Sequence, residues 1–310
     1  MATHCFWETV ESVPAERGPV PVAPVTTPSS PWWGGGPEPA SDWSDPARIK
    51  SAQLRHYQRL SSYASRWPAS DGEDLLSLSE HSVCSQNGED GVIAEILSRI
   101  GTTNRTFIEF GVENGGEGNC VCLADHRGWS GWFLEADPDH YQQLAAKYVW
   151  HDRVRTARAL VTAETVNDLF AGLGVPATVD VLSIDIDGED WQVWRALTIT
   201  RPRLVVVEYN SAVDPALAVV PRDASASWDG SQNFGSSLGA LVAVGAEKGY
   251  DLVNLESCGV NAFFIDRDVH WRGPTNAEVI RRTPNYFMTR KHHPGFDPTL
   301  SHFRPLPPPP

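Results

Sequence analysis

Between Arg105 and Gly118 a strand-like run breaks straight into a loop holding four glycines, and this junction constrains the fold more than any other stretch. Thr106 to Phe110 is apolar except for one acid, Glu109, near its end. Gly111 permits a turn that a side chain would block, and Gly115 and Gly116 let backbone and ligand approach closely. In a parallel α/β sheet, ligands sit at the carboxyl ends of the strands, often where strand order reverses. Glu109 and its loop are therefore expected to line a crevice. Taken alone, the segment reads equally as a strand with an ordinary loop, so its neighbours decide.

Those neighbours repeat the pattern. Gly131 to Asp137 reads as a second strand with Glu135 and Asp137 at its end, and Val154 to Val161 as a third. Val179 to Gly188 is apolar and then sharply acidic at Asp185 and Asp187, and Pro202 to Asn210 ends on Glu208 and Asn210. Helical stretches fall between them at 119–126, 141–149, 163–173 and 189–197. Strands alternating with helices imply a parallel sheet covered on both faces. Ahead of the first strand, Val92, Ile93, Ile96, Leu97 and Ile100 make one apolar stripe. Asn87 is the expected cap, with Asp90 three residues on and Gly101 as the stop. After a polar insert at 211–235 and a helix at 236–249, Asp251 to Glu256 and Val260 to Ile265 are two strands at hairpin spacing. A late hairpin makes the last strand antiparallel.

A chain of 310 residues divides on composition into four parts. Residues 1–43 form an arm rich in Pro, Gly and Trp without period, 44–80 a helical cap, 81–270 the α/β domain, and 271–310 an extension ending in polyproline. The formal charge of −14 argues against a nucleic-acid partner, which needs a basic face. No run is long enough to span a bilayer. Five cysteines without framework spacing suit reduced thiols in a cytoplasmic protein. Cys120 and Cys122 read as small half-buried residues, and a homo-oligomer is left open.

Four segments, in order, carry a resemblance: 85–93 (SQNGEDGVI), 107–115 (FIEFGVENG), 182–190 (LSIDIDGED) and 205–210 (VVVEYN), with 261–265 (NAFFI) adding a fifth. Together they resemble S-adenosylmethionine-dependent methyltransferases, most closely the FkbM type. The resemblance covers about Ser85 to Asp268. It implies a Rossmann-like class I methyltransferase fold: a mostly parallel sheet, helices on both faces and a terminal antiparallel hairpin. Many such enzymes have a glycine where this chain has Glu113.

The resemblance also distributes roles. Glu135, with Ala136 beside it, would take the ribose hydroxyls, with Asp137 as a substitute, and Leu160 would wall the adenine. Gly111, Glu113 and Gly115 would meet the methionine end, Glu109 would act on its ammonium or hold the loop, and Gln86 would reach its carboxylate. Asp185 faces the cofactor in this reading and is a candidate for catalysis, with His126 the first choice among the histidines. Asp185, Asp187, Glu208 and Asn210 end adjacent strands and could converge on Mg²⁺ or another divalent cation. The same acids read equally as cofactor contacts and helix caps. The expected activity is O-methylation of a hydroxylated small molecule, such as a sugar or other natural product. Two alternatives stand beside it: a nicotinamide-dependent oxidoreductase, whose Gly-x-Gly-x-x-Gly pattern is missing here, and a non-catalytic binding protein on the same fold.

Overall fold

A computed structural model describes residues 76–186, 188–223, 234–276, 279 and 299–306. The arm, the helix expected near 44–67, Asp187, Trp228 and residues 307–310 of the proline tail lie outside the described residues.

After a 3-10 turn at Leu76–Ser79, helix α1 (Glu89–Ile100) leads into β1 (Thr106–Phe110). Then come α2 (Val121–Arg127), β2 (Ser130–Glu135), α3 (Pro138–Tyr148), β3 (Val154–Arg158), α4 (Val166–Leu173), β4 (Thr178–Ile184), α5 (Asp190–Ala196) and β5 (Arg201–Glu208). A short β6 (Val219–Pro221), α6 (Leu238–Lys248), β7 (Tyr250–Leu255), β8 (Asn261–Asp266) and β9 (Phe303–Pro305) complete the described chain. Seven strands form one sheet in the order β3-β2-β1-β4-β5-β8-β7. Strands β1 to β5 pair in parallel, and β8 runs antiparallel between β5 and β7. From β1 the chain first builds outward to β2 and β3, then crosses back to place β4 on the other side. The switch in strand order therefore falls between β1 and β4.

Burial on both faces explains the near-continuous apolar runs. Ile108, Phe110, Leu182, Ile184, Val205 and Val207 point into one core, where the Trp194 ring packs tilted against Phe264 at 4.9 Å. Phe107, Phe133, Val181, Leu204 and Val206 point into the other, with the Phe107 and Phe133 rings 4.8 Å apart. Gly131 matters here: a Cβ on it would sit 2.6 Å from the Phe107 ring, so β2 and this aromatic approach only because the side chain is missing.

Two local expectations are corrected. Asn87 does not cap α1; the cap position is Gly88, in a left-handed conformation at φ 110°. Asp90 instead turns back, its Oδ2 accepting the N–H groups of Val83, Cys84 and Ser85 at 2.8, 2.6 and 2.8 Å, while Ser85 Oγ accepts from Asp90 N. A carboxylate able to satisfy three donors outcompetes a single-contact cap. In the C-terminal extension, Phe303 to Pro305 pairs antiparallel with Val219 to Pro221, tying it to the insert after β5. Cys120 and Cys122 are fully buried rather than half-buried. Cys84, Cys120, Cys122 and Cys258 carry free thiols. Among the described residues no helix is long and apolar enough to cross a membrane.

Candidate active site

A crevice of about 760 Å³ opens at the carboxyl ends of β1, β2, β4 and β5, across the switch in strand order. That volume suits a cofactor-sized ligand. Strand order divides it into two halves. On the β2–β3 side lie Glu135, Ala136 and Leu160; on the β5–β8 side lie Glu208, Gly259 and Asn261. Glu109, Gly111, Glu113 and Asp185 sit between, and Gln86 reaches in from the segment ahead of α1.

Glu135 is the best-fixed side chain of the first half. Its Oε2 accepts the N–H of Glu113 at 2.8 Å and its Oε1 the N–H of Asp137 at 2.8 Å. Each oxygen keeps a lone pair, so the carboxylate can still accept from two further donors. Asp137 does different work: it caps α3, accepting from Asp139 N and His140 N, with Pro138 at the first helical position. Strand-end acid and helix cap are thus two residues, not one. Leu160 is 72% exposed and borders the same half with Ala159 and Val161, giving a flat apolar wall.

Glu109 lies at the floor. Its Oε1 accepts from Asn119 N at 2.7 Å and its Oε2 from Cys120 N at 2.9 Å, which anchors the far end of the glycine loop. Burial pushes its carboxyl up to about 7, against the opposing pull of those two N–H groups.

The glycines serve the loop more than a ligand. A Cβ on Gly111, at φ 80°, would fall 1.5 Å from the Asp185 carbonyl oxygen, so Gly111 lets the ends of β1 and β4 touch. Gly115 does not line the crevice. Its Cβ would meet Leu144 of α3 at 2.8 Å, and its carbonyl accepts from Lys147 Nζ at 2.6 Å. Close approach to α3, rather than to a ligand, requires the glycine there.

Two other expected residues stand outside. His126 occupies the last turn of α2, exposed and not among the lining residues. Asn210 is buried, with both ends of its amide engaged: Nδ2 donates to Phe234 O at 2.7 Å and Oδ1 accepts from Ala212 N at 2.9 Å. These bonds clamp the insert after β5. Asp185 and Glu208 do line the crevice. Among the described residues, however, no three His, Cys, Asp or Glu side chains gather to hold a cation. Asp187, another expected ligand, lies outside the described residues.

Other lining residues went unassigned in the sequence reading. Glu89, fully buried in the first turn of α1, lines the crevice, as do Glu117, Glu189, Phe234 and Asn261. Asn261 pairs with Glu208 across the β5–β8 ladder, a neighbour that follows once β8 is placed beside β5. The sum is one-sided: nine lining side chains are carboxylic acids and, among the described residues, none is Lys or Arg.

Neither a scan against protein-family models nor a search of curated proteins gives a match. Among solved structures, the chain is similar to the N-terminal domain of EvdMO1 with SAH bound (15% identity, 71% of this chain and 96% of that one, TM-score 0.41). It is also similar to the O-methyltransferase from Bacillus cereus in complex with SAH (18% identity, 69% and 89%, TM-score 0.38). A third is Aeropyrum pernix fibrillarin with natively bound S-adenosyl-L-methionine (10% identity, 53% and 66%, TM-score 0.36). At these scores no ligand and no residue role passes from those proteins to this chain. Its own strand order, with β8 antiparallel inside an otherwise parallel sheet, is that of the Rossmann-like class I methyltransferase fold.

Proposed function

We propose that this chain is an S-adenosylmethionine-dependent methyltransferase acting on oxygen of a hydroxylated small molecule. One observation carries the reading: a crevice at the strand switch, lined by nine acids and no Lys or Arg among the described residues. Such a site repels a pyrophosphate and favours a ligand with fixed positive charge. S-adenosylmethionine has a sulfonium and an ammonium, whereas a nicotinamide dinucleotide brings two phosphates.

The residues fit that cofactor group by group. Glu135 is held with free lone pairs for two vicinal hydroxyls, and Leu160, Ala159 and Ala136 offer an apolar wall for a base. Glu109 and Asp185 sit where the cationic end would lie, and Gln86 supplies an amide donor toward its carboxylate. The bound cofactor supplies a methyl group: the acceptor oxygen forms a bond to it in line, the carbon–sulfur bond breaks, and the electron pair stays on sulfur, leaving a neutral thioether.

The chain's own task is to position the two reactants and take one proton. Asp185, which lines the crevice at the end of β4 between the halves, would accept the hydroxyl proton as the oxygen–carbon bond forms. The test is incubation with methyl-labelled S-adenosylmethionine and a panel of sugars and polyols, reading labelled product and S-adenosylhomocysteine together. Both are expected in equal amounts; cofactor binding without any transfer across a broad panel would favour the non-catalytic alternative.

A further inference from the structure

Resting on that reading, we propose that the acceptor carries a protonated amine, and that Glu89, Glu208 and Asn261 hold it at the β5–β8 end of the crevice. The acceptor is then a hydroxylated amine of the amino-sugar or amino-alcohol class, anchored by its ammonium while a hydroxyl is methylated. Asn261 is the observation that points to a ligand. It is 3% exposed and lines the crevice, yet its Oδ1 takes no hydrogen bond from any described residue. Leaving a buried amide oxygen without a donor is costly, a cost that a ligand N–H would recover.

The identity of that ligand group follows from what surrounds the oxygen. Asn261 Nδ2 already donates to Glu89 Oε1 at 2.9 Å, which fixes the amide so that Oδ1, not the NH₂, is the end left to serve. Glu89 also accepts Asn87 N at 2.8 Å and is fully buried. Glu208 lies directly across the ladder from Asn261. Behind them Glu256 accepts the N–H groups of Cys258 and Asn261, adding a third buried carboxyl. Three groups facing the crevice therefore accept hydrogen bonds. An ammonium presents three donors and a compensating charge, whereas a neutral hydroxyl presents one donor and none. The half that suits the nucleoside lies at the opposite end of the strand order, so this subsite is separate from the ribose contacts.

The experiment uses the full chain saturated with S-adenosylhomocysteine and titrated calorimetrically with glucosamine and galactosamine against glucose and galactose. The expected result is binding of the amino sugars at least about tenfold tighter than of their neutral counterparts, with Asn261→Leu and Glu89→Gln each abolishing the preference. Thermal melts and retained S-adenosylhomocysteine binding show that each variant is folded, and if one is not, the other decides. Equal response to the neutral and amino sugars, or none to either, overturns the proposal. Failure of S-adenosylhomocysteine to bind is a separate outcome that strikes the cofactor reading instead, and the subsite proposal falls with it.

Discussion

Glu135 Oε2 accepts the backbone N–H of Glu113 at 2.8 Å, so the acid ending β2 also holds the loop that follows β1. Glu113 sits at φ 51°, a left-handed conformation that side chains adopt at a cost, and its contribution here is its N–H. Glu113→Gly is therefore expected to keep S-adenosylhomocysteine affinity within about threefold, since glycine takes that φ freely. Glu113→Pro removes the donor and imposes φ near −65°; calorimetry should show cofactor binding lost.

Glu135→Ala removes the acceptor for two backbone N–H groups and the proposed ribose contact together. Hydrogen bonds to a charged group are worth roughly 1.5–3 kcal/mol each, so losing even one of them should lower cofactor affinity by about 13- to 160-fold. Affinity unchanged in a folded variant would move the ribose elsewhere.

Glu109 sets a pH signature. Its folded carboxyl is raised to about 7 by burial, and that of Glu256 to about 8 by burial and the neighbouring Glu89. A raised carboxyl binds its proton more tightly folded than unfolded, so its contribution to stability is complete below the unfolded value near 4.3 and is lost as pH rises through 7 to 8. The ligand-free protein should melt at higher temperature at pH 6 than at pH 8.5, and Glu109→Gln should flatten part of that slope. Cofactor binding should show the opposite trend, tightening as pH rises and the carboxylate charges. A melting temperature rising with pH over this window would contradict both assignments.

Asp180, at the other end of β4, separates folding from function. Its buried carboxylate accepts from Thr103, Asn104 and Arg105 N–H groups and from Arg203 at 3.1 Å. Burial pushes its carboxyl up, but those donors outweigh this and hold it below the usual range. Its contribution is thus present above the unfolded carboxylate value and lost as pH falls through the depressed folded one. Asp180→Ala should cost roughly 3–5 kcal/mol in chemical denaturation, since Arg203 and the loop lose their partner. S-adenosylhomocysteine affinity in the folded fraction should stay unchanged.

Local signals were strong where the strand ends declared themselves. The apolar run from Thr106 to Phe110 coincides with β1, and the acids at 135, 185 and 208 fall at the crevice because a parallel sheet puts every such end on one side. Partners chosen by tertiary packing were not legible. Asn210 follows β5 two residues after Glu208, and its hydrogen bonds to Phe234 and Ala212 could not be read from that place. Gly115 looked like a ligand contact, yet Leu144 occupies the space its side chain would need. Asn261 was hidden because its significance depends on which strand lies beside it, a property of the sheet and not of the local sequence.

Asn210 gives its own prediction. Asn210→Ala leaves Phe234 O and Ala212 N without their partner and should destabilise the protein by roughly 1–3 kcal/mol. Exhaustive chelation followed by added Mg²⁺ should change neither the stability nor the cofactor affinity of the wild type or this variant. A magnesium-dependent rise in wild-type melting temperature, absent in the variant, would restore Asn210 as a ligand.

The most direct measurement is calorimetric titration of the folded chain with S-adenosylmethionine, S-adenosylhomocysteine and a reduced nicotinamide dinucleotide, side by side. An acidic crevice with Glu135 at one end predicts one S-adenosylmethionine and one S-adenosylhomocysteine site per chain, both weakened by Glu135→Ala, and no heat from the dinucleotide. Silence with both sulfur nucleosides, or saturable binding of the dinucleotide, would contradict it.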